Sequence, residues 1–305
     1  MAYVNGSAAS LADLKTAIYN AAVAAGYTLS NDIISKDGCY FKLTVSGNTL
    51  QVAGGTAQSG STLTNPTPAS PCINNPTSNG TIAFPVTYEI HTFSNPNELY
   101  CFINYNSDYY QHLCFGKSNM PGVGLGAWLT ASWPESPSTA GGLNLSVSKT
   151  SINAFPFVNS QNVGLFCDGQ WTTTQRATFF RTSLDGDNWY TTSTAAAYNA
   201  CSVVASLLTS LPNLSNQATV LLPIKGVKTR SSGGLTTVVD LQNARLLRID
   251  NLTPGDLVTY GPDQWKVYPW YRKDINNRNG GNASTSTPRP THSGTFGFAI
   301  KYTGT

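Results

Sequence analysis

Charge is what this chain has least of. Only 11% of its 305 residues are Asp, Glu, Lys or Arg, against roughly a quarter in an ordinary soluble domain. No apolar run is long enough to explain the deficit by a membrane span. Ser, Thr, Asn and Gly stand in for the missing charges, and they hydrogen-bond to water or to a neighbouring subunit without the cost of desolvating an ion. Such surfaces suit burial in an assembly.

Also missing is a basic segment followed by an apolar run at the N-terminus, and Asp13 and Lys15 break the only early alanine-rich stretch. The expectation is a protein made and kept in a cytosol until it assembles. The six cysteines, Cys39, Cys72, Cys101, Cys114, Cys167 and Cys201, include no CxxC pair. They form no zinc-like grouping with His91, His112 and His292, so reduced, mostly buried thiols are expected. Cys101 with Cys114, on neighbouring strand-like segments, is the pair best placed for any native bridge. Asn-x-Ser/Thr triplets at Asn79, Asn144 and Asn251 arise by chance in so polar a chain.

What is present suffices for a packed core. The chain is 40% hydrophobic, with 15 Tyr, 12 Phe and 6 Trp, which excludes disorder throughout. Its few charges are unevenly placed: residues 1–224 hold 7 Lys/Arg and 10 Asp/Glu, whereas 225–305 hold 11 and 5. A basic C-terminal third is one signature of nucleic-acid contact. Opposed signs on one chain equally let copies or partner proteins dock on each other, and nucleic acid is the lesser expectation.

From Ser10, apolar residues at Leu11, Leu14, Ile18, Ala21 or Ala22 and Ala25 keep helical spacing, with Ser10 and Asp13 in capping-box positions and Gly26 as a stop. Strand-like runs at Cys39–Val45 and Thr49–Ala53 join through Gly47-Asn48, a hairpin signal. Residues 1–55 therefore read as a helix-plus-hairpin unit. The tract 54–80 carries Pro66, Pro68, Pro71 and Pro76 among Gly, Ser, Thr and Asn, so residues 56–80 read as a linker or surface arm.

Residues 81–305 read as one large β-rich domain. Strand-like segments fall at Val86–Phe93, Leu99–Tyr105, Tyr109–Phe115, Leu143–Val147 and Ala177–Arg181, and then at Thr219–Ile224, Thr236–Leu241, Ala244–Ile249, Leu257–Tyr260, Gln264–Tyr268 and Thr295–Tyr302. Many short strands between turns predict a mainly β fold, an antiparallel sandwich or barrel. One further short helix is expected at Ala195–Leu211, ended by Pro212. No charge occurs from Asn188 to Ile224, but frequent Asn, Ser and Thr there point to core or subunit interface and away from a spanning helix.

Motifs for chemistry fail on inspection. Phe115-Gly-Lys-Ser118 imitates the end of a phosphate loop, yet Gln111 stands where the first glycine is required. Pro121-Gly-Val-Gly-Leu-Gly126 has dinucleotide-like spacing but no following helix, and reads as a loop with positive φ. Asp185-Gly-Asp187-Asn188 offers alternate oxygen ligands without the glycine and distal glutamate of a calcium loop. No Gly-x-Ser-x-Gly elbow occurs, and the three histidines sit in separate segments without a local acid or nucleophile. Glu89, Glu98 and Glu135 are the only glutamates, permissive of paired-carboxylate chemistry but not evidence for it. No catalytic, cofactor-binding or metal-ligating residue is assigned, no cofactor is expected, and the chain reads as a non-enzyme.

Several longer stretches are distinctive together: Ala25-Gly-Tyr-Thr-Leu29, Ser35-Lys-Asp-Gly-Cys-Tyr40, Asn95-Pro-Asn-Glu-Leu-Tyr100, Tyr109-Tyr-Gln-His-Leu-Cys-Phe-Gly-Lys-Ser118, Trp265-Lys-Val-Tyr-Pro-Trp270 and His292-Ser-Gly-Thr-Phe-Gly-Phe-Ala-Ile-Lys-Tyr302. In these the chain resembles a family of virion structural proteins of tailed bacteriophages. The resemblance leaves the 54–80 tract and residues 130–175 uncovered. It implies a structural subunit of the tail, tail tip or baseplate, assembled in the host cytoplasm, and it transfers no active-site residue. Physically these motifs read as packing: Trp265, Tyr268 and Trp270 supply large buried area, and Gly294 and Gly297 allow a terminal strand to pass close to another backbone.

Two other classes stand beside that reading. A receptor-binding module would stack sugar rings on aromatic, charge-poor loops near Trp128, Trp133 and Trp171. A tail enzyme opening the cell envelope is the third. Sparse charge favours self-association into a homo-oligomer or larger ring, with the arm at 54–80 touching neighbouring copies. On that view deleting residues 58–78 leaves the fold intact and loosens the assembly.

Overall fold

The computed structural model describes residues 2–75, 81–133, 177–191, 198–199, 221–249, 251–270, 272–273 and 296–304. The chain begins with a strand, β1 (Ala2–Ala8), and enters helix α1 (Leu11–Ala24) through Ser10. Ser10 caps the helix, its hydroxyl accepting from the Asp13 N–H at 3.1 Å, which satisfies one of the first-turn donors. Gly26, at φ 87°, ends it as expected. Leu14 and Ile18 on the helix face inward, as does Leu43 below them.

A five-stranded antiparallel sheet follows. Its strands β2 (Thr28–Ser30), β3 (Ile33–Lys36), β4 (Cys39–Ser46) and β5 (Thr49–Gly55) are consecutive in space. Ser46 pairs with Thr49 across the Gly47-Asn48 turn. The next segment, expected as a linker or arm, is folded as far as residue 75. It forms a hairpin, β6 (Ala57–Ser59) with β7 (Thr62–Thr64), and then β8 (Cys72–Asn74), which adds to the open side of β5. Pro66, Pro68 and Pro71 are accommodated because they fall between strands, Ala69, Cys72 and Ile73 are buried, and Pro76 lies outside the described residues.

The central sheet has seven described strands, in the spatial order β1, β9 (Val86–Ser94), β10 (Asn97–Tyr105), β11 (Tyr109–Lys117), β12 (Ala127–Ala131), β13 (Thr178–Thr182) and β14 (Asn188–Tyr190). All pairings are antiparallel. Alternation in β10 explains the layering. Leu99, Cys101 and Ile103 point into an apolar core shared with α1, β4 and β5. Tyr100 and Phe102 point into another on the opposite side. Successive side chains of a strand face opposite ways, so a strand apolar at nearly every position belongs between two layers.

The third layer is a six-stranded sheet. Its strands are β15 (Tyr198–Asn199), β16 (Leu222–Thr229), β17 (Leu235–Arg248), β18 (Leu257–Tyr260), β19 (Asp263–Pro269) and β20 (Phe296–Tyr302). They lie in the order β15, β16, β17, β20, β19, β18. Ile224, Val239, Leu241, Leu246, Tyr268, Phe298 and Ile300 pack against Tyr100, Phe102 and Trp128 of the central sheet. Among the described residues the fold is thus mainly β and antiparallel, a stack of sheets with no closed barrel. The core around α1 runs from Ala8 through the hairpin to Leu113 and Phe179, so residues 2–55 share their interior with the strands beyond residue 81.

The segments expected at Thr236–Leu241 and Ala244–Ile249 are a single strand with a bulge between them. Ile224 of β16 pairs with Leu241 while Pro223 pairs with Arg245, so residues 242–244 have no partner on β16, and of these only Ala244 pairs on the other side, with Ile300 of β20. The further helix expected at Ala195–Leu211 lies outside the described residues, except that Tyr198 and Asn199 pair with Lys228 and Val227 as a strand. The strand expected at Leu143–Val147 also lies outside them. Gly297 takes the part foreseen for it: a Cβ there would come within 2.9 Å of the Ile249 side chain and against the Tyr268 carbonyl oxygen. Gly294 is outside the described residues.

Cys39, Cys101 and Cys114 are free thiols, and Cys72 is buried with them. Cys101 sits opposite Leu113 and Cys114 opposite Tyr100, a one-residue offset that sends the two sulfurs into different cores. They are therefore not placed to bridge. Cys167 and Cys201 lie outside the described residues.

Candidate functional site

The densest constellation of titratable groups joins two sheets where β1, β9, β19 and β20 meet. Register builds it. Glu89 faces Phe102 across β10 and Asn5 across β1, and Tyr3 faces His91. On the third layer Lys266 and Tyr268 alternate with Val267 and so point together toward the central sheet, with Tyr268 opposite Phe298. The Tyr268 ring stacks on Phe102, centroids 4.1 Å apart and planes within 9°.

Glu89 is the hub. Its Oε2 accepts from the Tyr3 hydroxyl at 2.8 Å and the Tyr268 hydroxyl at 2.6 Å, and pairs with Lys266 Nζ at 2.6 Å. Lys266 also donates to the Tyr3 hydroxyl at 2.9 Å and lies over the Tyr3 and Tyr302 rings. His91 Nε2 is 2.6 Å from the Tyr268 hydroxyl. A phenol has one proton; since Tyr268 gives it to Glu89, His91 must donate from Nε2.

The electrostatics follow. Burial alone would raise the Glu89 pKa, but hydrogen bonds from Lys266, Tyr268 and Tyr3 outweigh it and hold the carboxyl below its usual range. Burial pushes the His91 imidazole down to about 3 and carries the Tyr268 phenol well above 10. General acid–base catalysis wants a pKa near the working pH, and here each group is moved away from neutrality. The cluster's chemistry is that of a clamp between sheets.

Removing the Tyr268 hydroxyl alone tests this. Tyr268→Phe keeps the stack on Phe102 while His91 and Glu89 each lose a partner, so a loss of ~1–3 kcal/mol is expected at pH 7. Because the Glu89 pKa is depressed, its share is present above the ordinary value of 4.5 and fades as pH falls below it. Urea midpoints measured at pH 7 and pH 3 should therefore lie further apart for parent and variant at pH 7.

A second buried carboxylate, Glu98 on β10, has no access to solvent. It accepts from the backbone N–H groups of Gln242 at 2.9 Å and Asn243 at 3.1 Å, from Asn243 Nδ2 at 2.7 Å and from the Tyr100 hydroxyl at 2.9 Å. The bulge in β17 thus directs its unladdered donors at one carboxyl on the facing sheet. Burial raises the Glu98 pKa to about 7, against the lowering effect of these bonds.

The remaining sequence candidates are placed apart. Lys117 of the phosphate-loop mimic donates to the Asp37 carbonyl at 3.0 Å, and Ser118 Oγ accepts from the Asp240 N–H. Gly122, Gly124 and Gly126 all have positive φ, 75°, 79° and 70°. Both Asp187 carboxylate oxygens are taken by Arg181 at 2.9 Å, and Asp185 pairs with Lys228. Those oxygens are engaged by cationic side chains, and among the described residues no cluster of His, Cys, Asp and Glu could hold a metal. His112 is buried, its Nδ1 3.1 Å from Ser132 Oγ, and burial lowers its pKa to about 3. Glu98 faces Phe93 whereas Glu89 lies four residues further along β9. That separates them by about 13 Å along the strand, beyond the roughly 5–10 Å spanned by carboxylates flanking a glycosidic bond. Glu135 and His292 lie outside the described residues.

The tryptophans expected to stack sugars are core residues. Trp128 and Trp133 are at most 1% exposed, because Trp128 on β12 and Trp133 just beyond it enter the packing beneath the third layer. Trp171 lies outside the described residues. Missed altogether were Tyr3 and Lys266, whose partners are 86 to 263 residues away; the available signal was a lone Glu or Lys in an apolar strand. No helix among the described residues is long and apolar enough to cross a membrane. No protein-family model matches the chain, and no curated protein gives a significant match.

Proposed function

We propose that this chain is a structural subunit of a tailed-bacteriophage virion, in the tail, tail tip or baseplate, acting through contacts with copies of itself and with other virion proteins after assembly in the host cytoplasm. The observation that carries the reading is where the distinctive residues go. Glu98, Tyr100, Phe115, Tyr268 and Phe298 come from the stretches that resemble phage structural proteins, and all are buried between layers, while Trp265 is buried on the other face of the third sheet. A motif set spent on packing is what a scaffold keeps; a binding module or enzyme keeps residues that face its ligand. Sparse charge adds support, because surfaces rich in neutral polar groups are cheap to desolvate against a neighbour.

The test is mass spectrometry of density-purified particles from infected cells, with gold labelling of a tagged subunit in electron micrographs. The subunit should co-purify at a fixed ratio to the major tail protein and label one position on the tail. Its presence in the lysate but not in particles would overturn the reading.

A further inference from the structure

Among the described sheet edges only β1 is longer than four residues. It pairs with β9 without a register shift from Ala2 opposite Thr92 to Ala8 opposite Val86, and among the described residues no strand pairs with its outer side. Of its seven residues only Ala8 is buried; Tyr3 and Gly6 are partly exposed, and Ala2, Val4, Asn5 and Ser7 are exposed. Proteins block such edges with charges, prolines, bulges or brevity. Ala-Tyr-Val-Asn-Gly-Ser-Ala has no charge and no proline, and the nearest charged residue in sequence is Asp13. The two charged groups that hydrogen-bond to Tyr3 of β1, Glu89 and Lys266, neutralise each other in their ion pair.

From this edge we propose that β1 is a homotypic docking strand: a second copy of this chain adds its own β1 antiparallel, about a twofold axis at Asn5, and the two central sheets become continuous. The residues of β1 fit their own reverse. Asn5 meets Asn5, and a pair of amides can exchange hydrogen bonds. Val4 meets Gly6, and Tyr3 meets Ser7, so each larger side chain faces a small one. The space over Gly6 is filled from its own sheet by Tyr88, whose ring carbon Cζ would lie 2.7 Å from a Cβ built at Gly6, offering the incoming Val4 an aromatic surface. Alternate residues of an edge strand turn both N–H and C=O outward, and antiparallel self-pairing satisfies them reciprocally. Such an isologous contact closes on itself. A partner strand of another protein would need none of this self-complementarity.

The inference concerns contact between copies and stands apart from the virion reading: a chain that dimerises through β1 but is absent from particles would refute that reading alone. Sedimentation velocity over a concentration series, on the full chain tagged at its C-terminal end, is the test. The parent should dimerise. Asn5→Lys and Asn5→Glu each place like charges face to face at the axis and should weaken dimerisation at least about tenfold, while an equimolar mixture of the two restores it as a heterodimer. Asn5 also faces Glu89 of β9 and donates to the Tyr3 hydroxyl at 3.3 Å, so recovery in the mixture, which a damaged fold would not give, is the result that assigns the loss to the contact. Amide exchange of the parent reads the same contact without mutation, protection at residues 2–8 rising with concentration. A parent that stays monomeric, variants that associate as the parent does, or a mixture that fails to recover would each overturn the proposal.

Discussion

Glu98→Ala is expected to cost the fold about 4 kcal/mol at neutral pH, since each orphaned buried donor costs ~1–3 kcal/mol and water entering the vacated space recovers part. The donors left behind are the Gln242 and Asn243 backbone N–H groups, Asn243 Nδ2 and the Tyr100 hydroxyl. The backbone pair belongs to the bulge in β17 and has no ladder partner there, so the third layer loses its anchor on β10. The pH dependence gives a sharper signature than the loss itself. Glu98 titrates at about 7 in the fold against an ordinary 4.5. The folded state therefore holds the proton more tightly, and the Glu98 contribution falls as pH rises from 4.5 to 7, by about 3 kcal/mol in all. His91 and His112 act in the opposite sense. Their pKa values fall from 6.5 to about 3, so their contribution is complete above 6.5 and shrinks as pH falls. The parent's own curve mixes the three. The difference between parent and Glu98→Ala isolates one, and unfolding free energies at pH 5 and pH 7.5 should show the variant's deficit shrinking at the higher pH. A deficit independent of pH would mean that Glu98 stays ionised in the fold.

How much of this was legible in the sequence depends on the range of the contact concerned. Helix α1 and the Gly47-Asn48 hairpin are local, written in a cap, a 3.6-residue spacing and a turn pair, and they appear where expected. The runs at Leu99–Tyr105 and Tyr109–Phe115 were visible as strands, but their apolar character on both faces held more: it required a layer on either side. Strand β1 escaped because Asn5-Gly6 is a turn signal, and only the Tyr88 ring laid over Gly6 makes that dipeptide acceptable inside a sheet. β12 escaped because glycines and prolines flank it, and with it went the correct placement of Trp128. The polar clusters were the least legible. Glu98 and its bulge donors are 144 and 145 residues apart, and no periodicity connects them. What could have flagged the position is energetic: a glutamate leading an otherwise apolar strand must find several donors or neutralise.

Deleting residues 58–74 is expected to abolish cooperative folding, the reverse of what proline and glycine content suggests for an arm. The segment removed holds Leu63, Ala69, Cys72 and Ile73, all buried. At ~1.5–3 kcal/mol for each large apolar side chain, their loss approaches the whole net stability of a domain, about 5–15 kcal/mol. The damage extends to what remains. β8 is the seam between two layers: Cys72 exchanges backbone hydrogen bonds with Trp133 at 2.8 and 3.0 Å. Gln111 accepts from the Asn74 N–H at 2.8 Å and donates to its carbonyl at 2.7 Å. Val52 loses its bond to the Pro71 carbonyl at 2.9 Å. Without the segment, Gln111 is left as a buried polar side chain without those two bonds, and β5 becomes an open apolar edge, a combination that promotes aggregation as well as unfolding. The turn at Gly60 and Ser61 is a built-in control, because both residues are exposed and a substitution there disturbs neither the seam nor the core. Urea denaturation followed by tryptophan fluorescence should show a single transition in the parent and in a Ser61→Ala variant, and none in the deletion. A deletion variant that unfolds cooperatively near the parent's midpoint would return residues 58–74 to the status of a surface arm.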